Sequence, residues 1–89
     1  MKKYLEIISA EYLKEYKIIF TFNNKKNVTI DFYPFLKKET SPHIKPYLNK
    51  NKFKNFKISG GDIQWNEFEM CYRPEIIYNW NRYFKNDYR

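Results

Sequence analysis

Nucleophilic catalysis needs a Ser, Cys or Lys within hydrogen-bond reach of a base, most often a histidine. This chain has one histidine, His43, between Pro42 and Ile44, and one cysteine, Cys71, between Met70 and Tyr72. Their sequence separation leaves any Cys/His dyad to chance proximity in the fold. His43 reads as a solvated residue in an exposed turn, and Cys71 as a half-buried small hydrophobe. One His and one Cys cannot make a zinc constellation, and a lone Cys makes no internal disulfide, which fits a reducing cytoplasm. Asp62, Glu67 and Glu69 gather around Trp65. Paired acids beside an aromatic suggest glycoside chemistry or a cation site. Glu67 and Glu69 share one strand face if the segment is extended, while Asp62 belongs to a turn. No oxygen-rich loop of suitable spacing surrounds them, so they read as a solvated acidic rim facing the protein's own lysines. Gly60-Gly61 lacks the Gly-x-x-x-x-Gly-Lys pattern of a phosphate loop and reads as a hairpin turn. No catalytic residue, metal ligand or cofactor site is assigned. A small hydrolase built on His43 and the acids is the one enzymatic reading left.

The positive signal is charge. The 89 residues carry a net charge of +7. Between residues 37 and 57 stand Lys37, Lys38, Lys45, Lys50, Lys52, Lys54 and Lys57 against the single acid Glu39, so six of those seven charges fall in this stretch. On a helix from about 50 to 57, Lys50, Lys54 and Lys57 share a face while Phe53 and Phe56 point elsewhere. Lysines beside aromatics can grip phosphates and stack bases, with salt-sensitive and sequence-indifferent binding because lysine lacks the bidentate fork of arginine. The competing reading is compositional. Ten Asn, fourteen Lys and a lone Ala10 resemble an AT-rich coding bias, which makes ordinary proteins basic. The candidate contacts for a partner or nucleic acid are Lys45, Lys50, Lys52, Lys54 and Lys57. A candidate protein-contact patch is Trp65 with Tyr83 and Phe84 of the aromatic tail, although core closure competes for the same residues.

The elements that must hold these groups follow from patterning. Tyr4 to Tyr12 is rich in strand formers, with a turn expected at Leu13-Lys14-Glu15. Tyr16 to Phe22 is almost continuously apolar and belongs in the middle of a sheet. Asn23-Asn24-Lys25-Lys26 marks a hairpin turn, because Asn tolerates positive φ. From Asn27 the chain alternates, with Val28, Ile30 and Phe32 on one face. Pro34 should end this strand and fold Phe35 and Leu36 back over the sheet edge. Ser41-Pro42 resembles a helix start that Pro46 limits to one turn, and Asn49 should cap a second helix reaching Phe56. Gly60-Gly61 lies between two short strand-like runs. Pro74-Glu75 opens a C-terminal helix to Phe84 with Ile76, Ile77 and Trp80 inward, and residues 85–89 should fray.

A chain of this length makes one domain and buries roughly 60% of its unfolded surface, so the core is small. Nineteen aromatic residues, nine of them Tyr, offset that limit. The start Met1-Lys2-Lys3-Tyr4 leads into Glu6 and Glu11 rather than an apolar run, which excludes a signal peptide or membrane span and predicts a soluble, cytoplasmic protein.

The order of these pieces resembles a bacterial family, the domain of unknown function DUF2442. The resemblance rests on Asp31-Phe32-Tyr33-Pro34-Phe35-Leu36, on Gly60-Gly61-Asp62-Ile63-Gln64-Trp65-Asn66 and on Arg73-Pro74-Glu75-Ile76-Ile77-Tyr78, and spans about residues 4 to 80. Tyr33 replaces a small polar residue, and no proline stands between Trp65 and Asn66. The family's Gly-Ala-Asp-Leu becomes Glu67-Phe68-Glu69-Met70. The resemblance implies a small α+β fold with an antiparallel sheet and no assigned activity. Some members precede a helix-turn-helix DNA-binding domain, for which 89 residues should leave no room. The family's genes often neighbour another small gene, an arrangement suggestive of toxin–antitoxin pairs.

These readings converge on an α+β domain of a three-stranded antiparallel meander, one or two short helices in the basic segment, a second hairpin and a C-terminal helix. The expected role is a non-enzymatic accessory or regulatory module that binds another protein, such as the product of a neighbouring gene. The alternative is weak nonspecific nucleic-acid binding through residues 37–57.

Overall fold

The structure, a computed structural model, describes residues 4–84; at Tyr83 and Phe84 it describes the helical backbone and not the side chains. The expected fraying of 85–89, and the contact roles expected of the Tyr83 and Phe84 side chains, therefore lie outside the described residues. The fold is α+β, with two antiparallel three-stranded sheets and four short α-helices.

The first sheet is the expected meander. It comprises β1 (Ile7–Lys14), β2 (Lys17–Phe22) and β3 (Asn27–Asp31), with β2 in the middle. Register places Tyr12, Ile18 and Ile30 across one face, with Ala10, Phe20 and Val28 beside them. Ile18, Phe20, Phe22 and Ile30 are buried on that face, as period-two alternation requires. The edge strand β1 slips register twice, around Ile8 and around Leu13, and these bulged residues are the strand's exposed aliphatics. Bulges of this kind twist an edge away from further pairing.

Both turns of this sheet differ in detail from expectation. The first hairpin closes at Glu15-Tyr16, with Glu15 at φ 52°. In the second, the positive φ falls on Lys25, at 72°, rather than on an asparagine. The asparagines work through their side chains instead. Asn23 Nδ2 donates to the Tyr4 carbonyl at 2.6 Å and its Oδ1 accepts from Glu6 N at 3.1 Å, fastening the incoming chain to the turn. Asn24 Oδ1 accepts from Lys26 N.

After β3 the chain forms α1 (Tyr33–Lys38) where a simple turn was expected. Pro34 starts this helix rather than only ending the strand, because a missing N–H costs nothing in a first helical turn. Asp31 Oδ1 accepts from Tyr33 N there. Ser41 does nucleate a turn, accepting at its carbonyl from Ile44 N and Lys45 N. Pro46, however, sits in the first turn of a 3₁₀ helix, Lys45–Leu48, instead of terminating one. Asn49 caps α2 (Lys50–Phe53) as expected, its side chain accepting from Asn51 N and Lys52 N. That helix stops at Phe53, and Phe56 opens a strand.

The second sheet contains β4 (Phe56–Ser59), β5 (Asp62–Trp65) and β6 (Met70–Tyr72), with β5 in the middle. Gly60 and Gly61 join the expected hairpin with φ of 60° and 87°, the two positive values of a type I′ turn. The Gly61 carbonyl accepts from Ile7 N at 2.9 Å, tying this turn to the first sheet. The expected single C-terminal helix is two, α3 (Pro74–Tyr78) and α4 (Trp80–Phe84), separated at Asn79 with φ −110° and ψ 25°. Among the described residues no helix is long and apolar enough to cross a membrane.

The sheets meet over aromatic rings. Phe32 lies 4.8 Å from the Trp80 ring centroid, 5.6 Å from Phe53 and 6.0 Å from Trp65. Trp65 is fully buried and its Nε1 donates to the Phe53 carbonyl at 2.7 Å.

The hairpin yields a ranking of two glycines. A Cβ on Gly60 would meet open space, whereas on Gly61 it would lie 3.0 Å from Glu6 Cγ. Gly60→Ala should cost about 1 kcal/mol for the left-handed backbone, and Gly61→Ala about twice that. Urea denaturation of the two variants checks the order.

Candidate functional site

The basic segment does not form one face. Because α2 ends at Phe53, Lys57 falls on β4, opposite Gln64, and cannot align with Lys50 and Lys54 on a helix. The lysines divide between two flanks. Lys50 Nζ reaches Glu15 Oε1 at 3.3 Å and lies 5.9 Å from the Tyr16 ring centroid, while Lys54 Nζ lies 5.3 Å over Tyr12. Both therefore turn toward the β1–β2 hairpin. Lys52 turns the other way, 4.9 Å over the Tyr47 ring and 3.9 Å from Glu69 Oε1. Lys45 is exposed at the start of the 3₁₀ helix.

On the Lys52 side a groove of about 400 Å³ opens between α2 and β5. Lys52 and Lys57 line it with Tyr47, Gln64, Asn66 and Glu67. Its far wall is the turn between β5 and β6, which holds three consecutive positive φ angles on residues other than glycine. Asn66, Glu67 and Phe68 have φ of 47°, 53° and 70° in succession. Left-handed backbone costs a residue with a Cβ about 1–2 kcal/mol, and only Asn is at ease there.

Two side chains hold this turn. Gln64 is buried, and its Oε1 accepts from Phe68 N at 2.9 Å. Glu69 Oε1 accepts from the Tyr47 hydroxyl at 2.8 Å and from Asn66 Nδ2 at 3.0 Å, and its Oε2 faces His43 Nδ1 at 3.6 Å. The hydrogen bonds from Asn66 and Tyr47, with smaller help from Lys52 and His43, hold the Glu69 carboxyl below the usual carboxylate range. Burial, reinforced by the Glu69 carboxylate, pushes the Tyr47 hydroxyl well above the ordinary tyrosine value. Tyr47 is therefore a neutral donor at physiological pH. The ring of Phe68 is left outside, 55% exposed.

Several expected site residues move. Trp65 lies in the core and presents no surface to a partner. Cys71 is exposed on β6 rather than half-buried. His43 is in an exposed turn, as expected, and faces Glu69. The acids do not form one rim, since Asp62 starts β5 while Glu67 and Glu69 lie in the turn beyond its other end. The pairing of acid with lysine holds for Glu69 and Lys52. Among the described residues no group of three or more His, Cys, Asp and Glu is placed to hold a metal. Tyr47, Gln64 and Phe68 carried no signal in composition or periodicity. The one available sign was at Glu67, where the resembling family's motif has glycine, the residue a positive φ favours.

A family model described as a protein of unknown function (DUF2442) matches residues 7–83. The chain belongs to the DUF2442 family. Comparison with curated proteins and with solved structures gives no match. Within the DUF2442 domain, the matched span contains the groove, the left-handed turn and every lysine of the basic segment.

Two outcomes follow from the turn. Glu67→Gly should raise stability by about 1 kcal/mol, by relieving left-handed strain at one residue, measured as a higher urea midpoint. Glu69→Gln should destabilise the protein at neutral pH. A carboxyl whose pKa is depressed on folding stabilises above its unfolded value and loses that contribution as pH falls through the folded one. The stability gap between parent and variant should therefore close in the acid range, as thermal melts from pH 7 to pH 3 would show.

Proposed function

We propose that this DUF2442 chain is a non-enzymatic accessory module that acts by binding another protein, in a regulatory role, with the product of a neighbouring gene as its first candidate partner. One observation carries the reading: an exposed phenylalanine stands on a strained turn at the rim of a lysine-lined groove. An exposed ring is unremarkable by itself. Phe68 differs because its backbone occupies a conformation costly for a large side chain, and a buried amide is committed to holding it. Strain that a fold maintains with internal bonds marks positions where geometry matters for more than stability. An aromatic anchor beside a polar, charged rim is also the usual composition of a binding hot spot.

The net charge of +7 favours an acidic partner, although Glu67 lines the groove together with Lys57. Glu69 is engaged by Tyr47, Asn66 and Lys52, which leaves Lys57 and Lys45 as cations toward the outside. A two-gene arrangement, toxin–antitoxin-like or otherwise regulatory, would supply such a partner.

Co-expression with the products of both flanking genes, followed by size-exclusion chromatography, tests the reading. The expected result is a stable complex that Phe68→Ser dissolves and Lys57→Glu weakens at least tenfold, while both variants keep the parent's unfolding midpoint within about 0.5 kcal/mol. Absence of a complex with either product, or a complex indifferent to Phe68→Ser, would overturn it.

A further inference from the structure

The flank of α2 away from the groove carries a second arrangement. Three lysines lie against three tyrosines across α2, the β1–β2 hairpin and α1. Lys54 Nζ sits 5.3 Å over the Tyr12 ring, and Lys50 Nζ lies 5.9 Å from the Tyr16 ring. Tyr16 stacks on Tyr33 at 5.4 Å with an interplanar angle of 28°, and Lys37 Nζ lies 5.5 Å over Tyr33. Tyr12 and Tyr16 are fixed from beneath. The Tyr16 hydroxyl donates to the Leu48 carbonyl, and the Tyr12 and Tyr16 rings pack edge-on against Phe53 at 6.5 and 5.4 Å. Tyr33 stands at the outer end of the row, 43% exposed.

We propose that this face binds single-stranded nucleic acid, with Lys37, Lys50 and Lys54 on successive phosphates and a base stacked against Tyr33. Charge complementarity selects a polyanion. Lys14 flanks the same hairpin; Lys17 lies on the other face, opposite Asp31 in the register, and the remaining acid there, Glu15, pairs with Lys50. The aromatic row selects a nucleic acid over an acidic peptide, because a ring gives a base a π-face and gives a carboxylate nothing. An unpaired strand is required, since bases in a duplex are already stacked. With lysine as the cation that the described residues place on this face, the contacts grip phosphate without reading base edges, so binding is indifferent to sequence. The ammonium groups lose little when drawn from ring to phosphate, because an exposed cation–π contact is weak.

This surface is separate from the groove. It uses neither Phe68 nor Lys57, so its test stands apart from that of the protein partner. Fluorescence anisotropy with a labelled twelve-nucleotide thymidine strand reads it directly. Three phosphate contacts predict a slope of log K against log salt of about −2, or roughly 20-fold weaker binding at 200 mM than at 50 mM salt. Tyr33→Ala should weaken binding about tenfold, and Tyr33→Phe should retain it. The double variant Lys50→Gln/Lys54→Gln should bring the slope to about −0.7. Lys52→Gln/Lys57→Gln, on the other flank, should change nothing. The proposal fails if the strand does not bind at 50 mM salt, or if Tyr33→Ala binds like the parent. It fails equally if the groove variant abolishes binding, or if a twelve-residue polyglutamate or vesicles with phosphatidylserine bind this face and the strand does not.

Discussion

Two three-stranded sheets of short strands share one hydrophobic core, to which both contribute buried side chains. The interface is aromatic because few residues are available to fill it. Phe32, leaving the first sheet, packs against Trp65 of the second, against Phe53 of α2 and against Trp80 of α4. Edge-to-face pairs of this kind contribute about 0.5–1.5 kcal/mol beyond their buried area. The indole of Trp65 would carry an unsatisfied donor into that interior, and the Phe53 carbonyl removes the penalty. That single bond also fixes where α2 must end, since Phe53 has to present both its ring inward and its carbonyl to the indole. The position of the basic segment is thus dictated from inside the core.

From that anchor the two flanks follow. A helix of four residues, capped by Asn49 and stopped at Phe53, has no room to align its lysines along one stripe. Lys50 and Lys54 meet the tyrosines of the first hairpin, and Lys52 meets Tyr47 and Glu69. The turn after Trp65 must reverse direction at once so that Met70 can pair back onto β5. Three residues take left-handed backbone to do so, and the cost is offset by Gln64 and Glu69. The exposure of Phe68 is therefore a consequence of core geometry as well as a feature of the surface.

What could be read from the residues follows the same division. The meander was legible because strict alternation from Asn27 to Phe32 and the asparagine-rich turn are local signals, and the Gly60-Gly61 hairpin because glycine is the usual bearer of paired positive φ. The strand β6 was not legible, because Met70-Cys71-Tyr72 is too short to show a period and its pairing depends on the left-handed turn before it. Residues 50 to 57 carry a helix pattern that tertiary structure cuts in half, since Phe56 gains more beside Trp65 on β4 than in a longer helix. The Lys-rich segment was visible as charge, but its division into two surfaces was not, because that depends on the helix stopping at Phe53. Trp65 was expected in a protein-contact patch, and nothing local reveals that a carbonyl twelve residues earlier waits for its N–H.

The lysines over tyrosine rings bear on how the surface can work without weakening the fold. Lys37, Lys50 and Lys54 are exposed, and cation–π pairs at exposed sites contribute only about 0.5–1 kcal/mol. The Lys50–Glu15 pair is solvated on both sides and is worth no more. These lysines thus add little to folding stability, whereas Tyr16 and Tyr47 beneath the segment are buried in the core. Tyr16 is buried and bonded to Leu48, yet it is also the ring on which Tyr33 stacks. Charge can be drawn away from this face by a partner while the tyrosine platform stays in place. A chain with so small a core can spend surface charge on binding only if its structure does not rely on that charge, and the geometry around α2 meets that condition.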